Sequence, residues 1–154
     1  MSYFIGADPG KSGSIVAICG DRFDCIKLDR SLSEIREWIH NRTYSPIAIT
    51  RVVLEKVHAM PSQGVSSTFS FGESFGAVQM ALTFLGGEIE YVSPRKWQQH
   101  FGLVFPKDSL THTEKKNRHK EKAIELAPEG FKVTHATADA LLIARYAEQT
   151  LGGG

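Results

Sequence analysis

Cysteine is scarce in this sequence. The 154 residues include two cysteines, Cys19 and Cys25. Two thiols at this spacing match no zinc-binding pattern, and the chain has no further cysteine that would complete one. We therefore interpret both as unpaired thiols of an intracellular protein.

Long apolar stretches are also missing. No run of apolar residues approaches the ~20 that a membrane-spanning helix requires. The first residues, Met1–Gly13, lack the basic segment followed by an apolar one that is typical of a signal peptide. We expect a soluble cytoplasmic protein with no membrane partner.

The chain has no strong excess of charge of either sign. Lysine and arginine number 18 and aspartate and glutamate number 17, which gives a formal net charge of +1. A total near zero does not indicate a nucleic-acid partner, so the local distribution of basic residues has to decide. The length and the hydrophobic content of 42% fit one domain, residues 1–154, with one core.

Hydrophobic spacing and turn residues predict five strands and five helices in the order βββαβαβααα. The predicted strands cover residues 3–8, 14–19, 23–28, 51–57 and 88–92. The first helix is predicted to begin at a Ser31–Glu34 capping box, and the others cover residues 66–85, 94–101, 113–127 and 137–150. This order predicts an α/β protein in which a mixed sheet, three antiparallel strands followed by parallel ones, has helices on its faces.

Three acidic residues stand where an interior is predicted. Asp8 ends the first strand, Glu55 interrupts an apolar strand, and Asp139 lies on the apolar face of the last helix. Each has a structural alternative: a turn cap for Asp8, an internal ion pair for Glu55, and a favourable helix dipole for Asp139. If the three converge, they form an oxygen-rich site that selects Mg²⁺ or Mn²⁺ and suits phosphodiester hydrolysis.

The segments that carry these acids resemble the RuvC-like Holliday junction resolvases, and most closely their short bacteriophage branch. The resemblance is carried by Ile5–Gly13, Leu54–Val57, Met60–Gly72 and Ala138–Leu141. It implies an RNase H-like fold and a homodimer that grips a four-way DNA junction and nicks it with a pair of Mg²⁺ ions per subunit. It also implies that Asp8, Glu55 and Asp139 hold the metal, and that the protein works in a bacterial cell and is phage-encoded.

One position departs from the family pattern. The family commonly has a fourth ligand one helical turn before the last aspartate, but Ala136 stands there and cannot bind a metal. His135 lies four residues before Asp139, and residues at that spacing share a helix face. We therefore predict His135 as a ligand of the second metal or as a proton donor. The alternative is a histidine near a helix N-terminus with no catalytic role.

Basic residues gather in the helix predicted over 113–127. They predict a phosphate-binding face, although a solvated helix face is the usual alternative. The predicted DNA-binding residues are Lys11, His58, Gln63, Lys96, Lys107, Lys115, Lys116, Arg118 and Lys120, and His119 and Lys122 belong to the same charged helix. Lys11 follows Asp8, whereas His58 and Gln63 lie in the loop that leaves Glu55.

The sequence leaves two other functions open. A non-catalytic junction-binding adaptor of the same fold would keep the basic residues, but the presence of all three acids argues against it. An actin-like or sugar-kinase ATPase also begins with a strand that leads into an Asp-x-Gly loop. Such proteins repeat the fold, and this chain contains no second copy.

Overall fold

The computed structural model describes residues 2–58, 61–86 and 88–151. Within these ranges the strands and helices follow in the predicted order. The strands are β1 (Ser2–Asp8), β2 (Ser14–Cys19), β3 (Arg22–Lys27), β4 (Ala48–Glu55) and β5 (Ile89–Val92). The helices are α1 (Leu32–Thr43), α2 (Val65–Thr83), α3 (Pro94–His100), α4 (His112–Leu126) and α5 (His135–Gln149).

The five strands form one mixed sheet in the order β3-β2-β1-β4-β5. The β1–β2 and β2–β3 pairs are antiparallel, whereas β1–β4 and β4–β5 are parallel. This topology confirms the predicted mixed sheet. Because β1 and β4 are parallel neighbours, their C-terminal residues lie at the same edge of the sheet.

Helices cover both faces of the sheet and divide the core into two clusters. On one face, side chains of α3, α4 and α5 pack with Val16, Ile18 and Val53. On the other face, α1 and α2 pack with Ile5, Ile15 and Leu54. Because helices cover both faces of the sheet, β2 is buried along its whole length.

Helix α5 crosses the sheet at unusually close range. A Cβ atom on Gly6 would overlap with the backbone of Ala140 and Ala144, so only glycine fits on β1 at this point. Small residues on the helix, Ala140 and Ala144, allow the same approach from the other side. The contact fixes α5 over the centre of the sheet.

The structure shifts several predicted boundaries by a few residues. Strand β4 begins at Ala48 and ends at Glu55, not at 51 and 57, because its pairing with β1 begins at Ser2 and Ala48. Helix α5 begins at His135, two residues before the predicted start, because Thr134 and Thr137 form its capping box. Glu55 is therefore the last residue of its strand, and His135 is the first residue of its helix.

The predicted capping box of α1 is present. The Ser31 hydroxyl accepts from the Glu34 backbone N–H at 3.3 Å, and the Glu34 carboxylate accepts from the Ser31 N–H at 2.9 Å.

None of the helices in the described part of the chain combines the length and the hydrophobicity that a membrane span requires.

Candidate active site

The structure brings the three predicted acids together at one edge of the sheet. Ala7 of β1 is paired with Leu54 of β4, so the next residues, Asp8 and Glu55, lie side by side as the last residues of their strands. Asp139 follows in the second turn of α5, the helix that packs on β1. The three carboxylates are close enough to act on one another electrostatically.

Asp8 is the last residue of β1, directly before the turn, and it is partly buried. Burial, together with repulsion from Asp139, raises its pKa from 3.8 to about 6, while Lys116 and the Gly10 N–H act in the opposite direction. The turn packs against Asp8 closely, because a Cβ on Gly13 would overlap with the Asp8 carbonyl group. Asp8 is therefore harder to ionise than an exposed aspartate, and a neighbouring cation would favour its charged form.

Glu55 is more strongly perturbed. Glu55 is 8% exposed. Burial raises its pKa from 4.5 to about 8, with a further contribution from the Asp8 charge, and the hydrogen bond from Trp97 offsets part of this rise. A carboxyl group with this pKa keeps its proton at neutral pH unless a cation stabilises the charged form.

A divalent cation would relieve these unfavourable charges. The acids offer only oxygen donors, the type that Mg²⁺ and Mn²⁺ prefer. Among the residues that the structure describes, however, no three His, Cys, Asp or Glu side chains surround a single point closely enough to count as a formed metal site. The chemistry of the donors thus fits a hard cation, while their present arrangement is a group of mutually repelling carboxylates and not a closed ligand shell.

Two aromatic side chains contact the acids, and neither contact was predicted from the sequence. Trp97 Nε1 donates to Glu55 Oε2 at 2.6 Å, and His119 Nδ1 lies 2.8 Å from Asp139 Oδ1. A signal for His119 was present in the sequence, since His119, Ala123 and Leu126 share the inward face of α4. Trp97 was also accessible to inference, because the helix after β5 begins at the edge where Glu55 ends.

Hydrogen bonds from neighbouring elements fix the segments that carry the acids. The buried Ser14 hydroxyl donates to the Ala136 carbonyl at 2.9 Å and so ties β2 to the first turn of α5. The Ser74 hydroxyl of α2 donates to the Pro9 carbonyl at 2.9 Å and holds the turn after Asp8. Both bonds restrict the backbone at the acids.

His135 is exposed at the start of α5. Within the described residues its side chain makes no hydrogen bond or ion pair, and it is His119 of α4 that contacts Asp139. Lys56 is exposed and its ammonium lies 5.2 Å from the centroid of the Tyr91 ring, so it is not the ion-pair partner of Glu55. The assignment of His135 to a second metal stays a prediction.

A cleft of about 350 Å³ opens beside Asp139. It is lined by Lys115, Lys116 and His119 of α4 and by Val104 and Phe105. Lys116 is near enough to lower the pKa of both Asp8 and Glu55. Part of the predicted basic face of α4 therefore borders the acids.

The remaining predicted DNA-binding residues lie around this edge or farther along the surface. Lys11, His58, Lys96 and Lys107 are exposed, and Lys120 is half-buried. Arg118 is exposed and forms an ion pair with Glu121 at 3.4 Å, a contact that exposed side chains break at little cost. Gln63 donates to Ser67 at 3.4 Å at the start of α2. Met60, the first residue of the stretch that resembles the phage proteins, lies outside the described residues.

Comparison with known proteins places the fold. No protein-family model and no curated protein sequence matches the chain. RuvC from Thermus thermophilus in complex with a Holliday junction substrate matches with a TM-score of 0.55 and 17% identity, covering 100% of this chain and 97% of that chain. A second Thermus thermophilus RuvC structure gives a TM-score of 0.53 at 17% identity, covering 96% of this chain and 95% of that chain.

These matches concern the fold. They confirm an α/β protein of the RNase H-like type, in which a mixed five-stranded sheet is flanked by five helices. The shared fold extends over nearly the whole of both chains.

Proposed function

We propose that this chain is a Mg²⁺-dependent endonuclease that resolves four-way DNA junctions by paired nicks, with Mn²⁺ able to substitute. The observation that carries the proposal is the group of three carboxylates at one sheet edge, two of which have strongly raised pKa values. The fold adds support, because it is shared with a RuvC that is bound to a Holliday junction substrate.

In this proposal Asp8, Glu55 and Asp139 hold a pair of Mg²⁺ ions in each subunit. When bound, such ions supply an activated water and a stabilised leaving oxygen for phosphodiester hydrolysis. The protein contributes a buried site from which bulk water is largely excluded, which strengthens every electrostatic interaction there. His135 remains our candidate for a further ligand or proton donor at the mouth of the site.

DNA would approach the acids along α4. Lys115 and Lys116 line the cleft next to Asp139, and their positive charge would hold the phosphates of the strand to be cut. Lys120 and Arg118 extend this charge along the helix, and Lys96 and Lys107 add to it from neighbouring segments. Lys11, His58 and Gln63 complete the proposed interface from the two loops that leave β1 and β4.

A second copy of the chain is the proposed partner across α1 and α2. An apolar groove of about 490 Å³ runs between these helices, on the side of the sheet opposite α5. Its border includes side chains that are more than half exposed, namely Leu32, Tyr44, Met80 and Phe84. Large apolar surfaces of this kind support association of two subunits, which a junction resolvase needs to cut two strands.

The decisive experiment incubates the protein with a synthetic four-way junction, with Mg²⁺ and with chelator, and maps the nicks. We expect symmetrically paired nicks that require the metal. Asp8→Asn should abolish cutting and retain junction binding. Asp21→Asn is the matched control, because Asp21 is exposed in the turn at the opposite end of the sheet.

Other outcomes would reject the proposal in distinct ways. Nicking that persists in Asp8→Asn would remove the acids from the mechanism. Tight junction binding with no cleavage in Mg²⁺ or Mn²⁺ would favour the adaptor, and ATP turnover without DNA would favour the ATPase. Unpaired cuts in linear DNA would indicate a general nuclease.

The dimer has its own test. Phe84→Glu places a charge in the apolar groove, and we expect it to lower the molar mass measured by light scattering from that of a dimer to that of a monomer. Ile124→Glu, at a similarly exposed apolar residue on α4, should leave the mass unchanged. The assignment to the bacteriophage branch stays a prediction that rests on the sequence resemblance.

A further inference from the structure

Helices α3 and α4 each send one aromatic ring to one of the candidate metal-binding carboxylates. Trp97 is fully buried, and its Nε1 donates to Glu55 Oε2 at 2.6 Å. The His119 side chain is 13% exposed, and its Nδ1 lies 2.8 Å from Oδ1 of Asp139. Both contacts join residues distant in sequence, so neither results from local helix geometry.

The two rings also touch each other. Their centroids are 5.3 Å apart at an interplanar angle of 73°, which is an edge-to-face arrangement. A continuous chain of contacts therefore runs from Glu55 through Trp97 and His119 to Asp139. Movement of either ring would disturb its own carboxylate and the opposite ring at once.

Both rings are carried by helices with defined starting points. Helix α3 begins with Pro94, and the Ser93 hydroxyl accepts from the Lys96 N–H at 3.2 Å. Helix α4 begins with a capping box between Thr111 and Glu114. The caps set where each helix starts, and hence which residue faces the acids.

Each ring occupies only one oxygen of its carboxylate. Within the described residues, Oε1 of Glu55 and Oδ2 of Asp139 have no hydrogen-bond partner. Partners of this kind fix the rotation of a ligand and leave its other oxygen available to a cation. A buried tryptophan that served only to fill space would need no carboxylate as its acceptor.

We propose that Trp97 and His119 are linked positioning residues that orient Glu55 and Asp139 for divalent-metal binding. His119 thereby orients Asp139 from α4. On α5 itself, Ala136 has no side-chain atom that could bind a metal. The inference rests on the proposed metal-dependent function and adds to it a specific role for two residues outside the acidic set.

The test measures Mn²⁺ affinity directly, from the electron paramagnetic resonance signal of free Mn²⁺ during titration without DNA. We expect His119→Ala to weaken binding about 10- to 100-fold, the usual effect of removing a partner of a metal ligand. His119→Asn keeps a hydrogen-bond donor on a short side chain and should restore part of the affinity. His100→Ala is the matched control, because His100 bonds the neutral amide of Gln149 on the same side of the sheet.

The link between the rings is tested with Trp97→Phe, which keeps a smaller aromatic ring and removes the N–H donor. Trp97→Phe should weaken Mn²⁺ binding alone, and the double variant with His119→Ala should lose less affinity than the product of the two single effects, because the residues act through one connected unit. Independent, multiplicative effects would overturn the link. Urea unfolding without metal accompanies every titration, so that affinities are compared only between folded proteins.

The outcomes separate this inference from the proposed function. Wild-type protein that binds Mn²⁺ and cuts junctions, with a folded His119→Ala variant of unchanged affinity, would overturn the inference alone. Wild-type protein that neither binds Mn²⁺ nor cuts would overturn both. Equal losses in His119→Ala and His119→Asn would show that the hydrogen bond to Asp139 is not what matters.

Discussion

Replacement of Glu55 by glutamine should change how the stability of the metal-free protein depends on pH. In the unfolded chain Glu55 loses its proton near its ordinary pKa of 4.5, whereas burial in the folded protein raises that pKa to about 8. Between these values the folded state binds more protons than the unfolded state, so stability falls as the pH rises. Glu55→Gln removes the titrating group and therefore this part of the fall.

The size of the effect follows from the shift itself. At about 1.4 kcal/mol per pH unit, the difference between 4.5 and about 8 corresponds to ~5 kcal/mol. Because small domains have a total stability of about 5–15 kcal/mol, a loss of this size is a large fraction of the whole. Asp8, with a pKa raised from 3.8 to about 6, adds a smaller fall at lower pH that glutamine at position 55 leaves in place.

The assay is urea unfolding in chelator at a series of pH values from 5 to 8.5. The wild type should lose most of the ~5 kcal/mol across this range relative to Glu55→Gln. Glu129→Gln, at an exposed glutamate in the turn before α5, is the control and should follow the wild type. Parallel curves for wild type and Glu55→Gln would refute the conclusion that burial destabilises the ionised Glu55.

Three further predictions concern the metal, the DNA and the fold. At pH 8 saturating Mg²⁺ should stabilise the wild type by about 3 kcal/mol at a hundred times its Kd, as a shift of the urea midpoint shows, and Asp8→Asn should lose this stabilisation. Lys115→Gln should reduce the slope of log Kd against log salt for junction binding, measured by fluorescence anisotropy, by about one unit. Lys122→Gln should leave the slope unchanged, because Lys122 is already paired with Glu125 at 3.0 Å. Gly6→Ala should destabilise the protein by about 3 kcal/mol in thermal unfolding, or prevent folding, because its Cβ would meet the backbone of α5. Gly72→Ala is the control: this position is open to solvent within α2, so the substitution should stabilise by about 0.5–1 kcal/mol. A tolerated Gly6→Ala would contradict the close packing of α5 on β1.

Much of the fold was predictable because its signals are local. Turn residues and alternating apolar residues identify the β1–β2–β3 meander, and the Ser31–Glu34 box marks the start of α1 without any long-range information. The ends of β4 and α5 were less predictable. They depend on the pairing of Ala48 with Ser2 and on the Thr134 cap, which a single segment does not reveal.

The acids could be predicted as a group, whereas their partners are only weakly indicated by the sequence. A carboxylate on an apolar strand or helix face is conspicuous in sequence, so Asp8, Glu55 and Asp139 stand out. His119 is hidden among the lysines of a charged helix, and Trp97 resembles any core tryptophan. Their contacts with Asp139 and Glu55 depend on how α3 and α4 pack against the sheet edge, which only the tertiary structure defines.

The raised pKa values and the proposed activity have the same physical origin. Burial that makes Glu55 and Asp8 hard to ionise also removes the water that would weaken their attraction for a cation. Without a cation, the site is least favourable at high pH, where both carboxylates must carry charge side by side. The Trp97 N–H holds Glu55 and the His119 ring contacts Asp139, so these two side chains are restrained from rotating away from Asp8. A site constrained in this way loses stability when empty and gains it when a cation binds, so the metal-free protein should be both the less stable and the less active form.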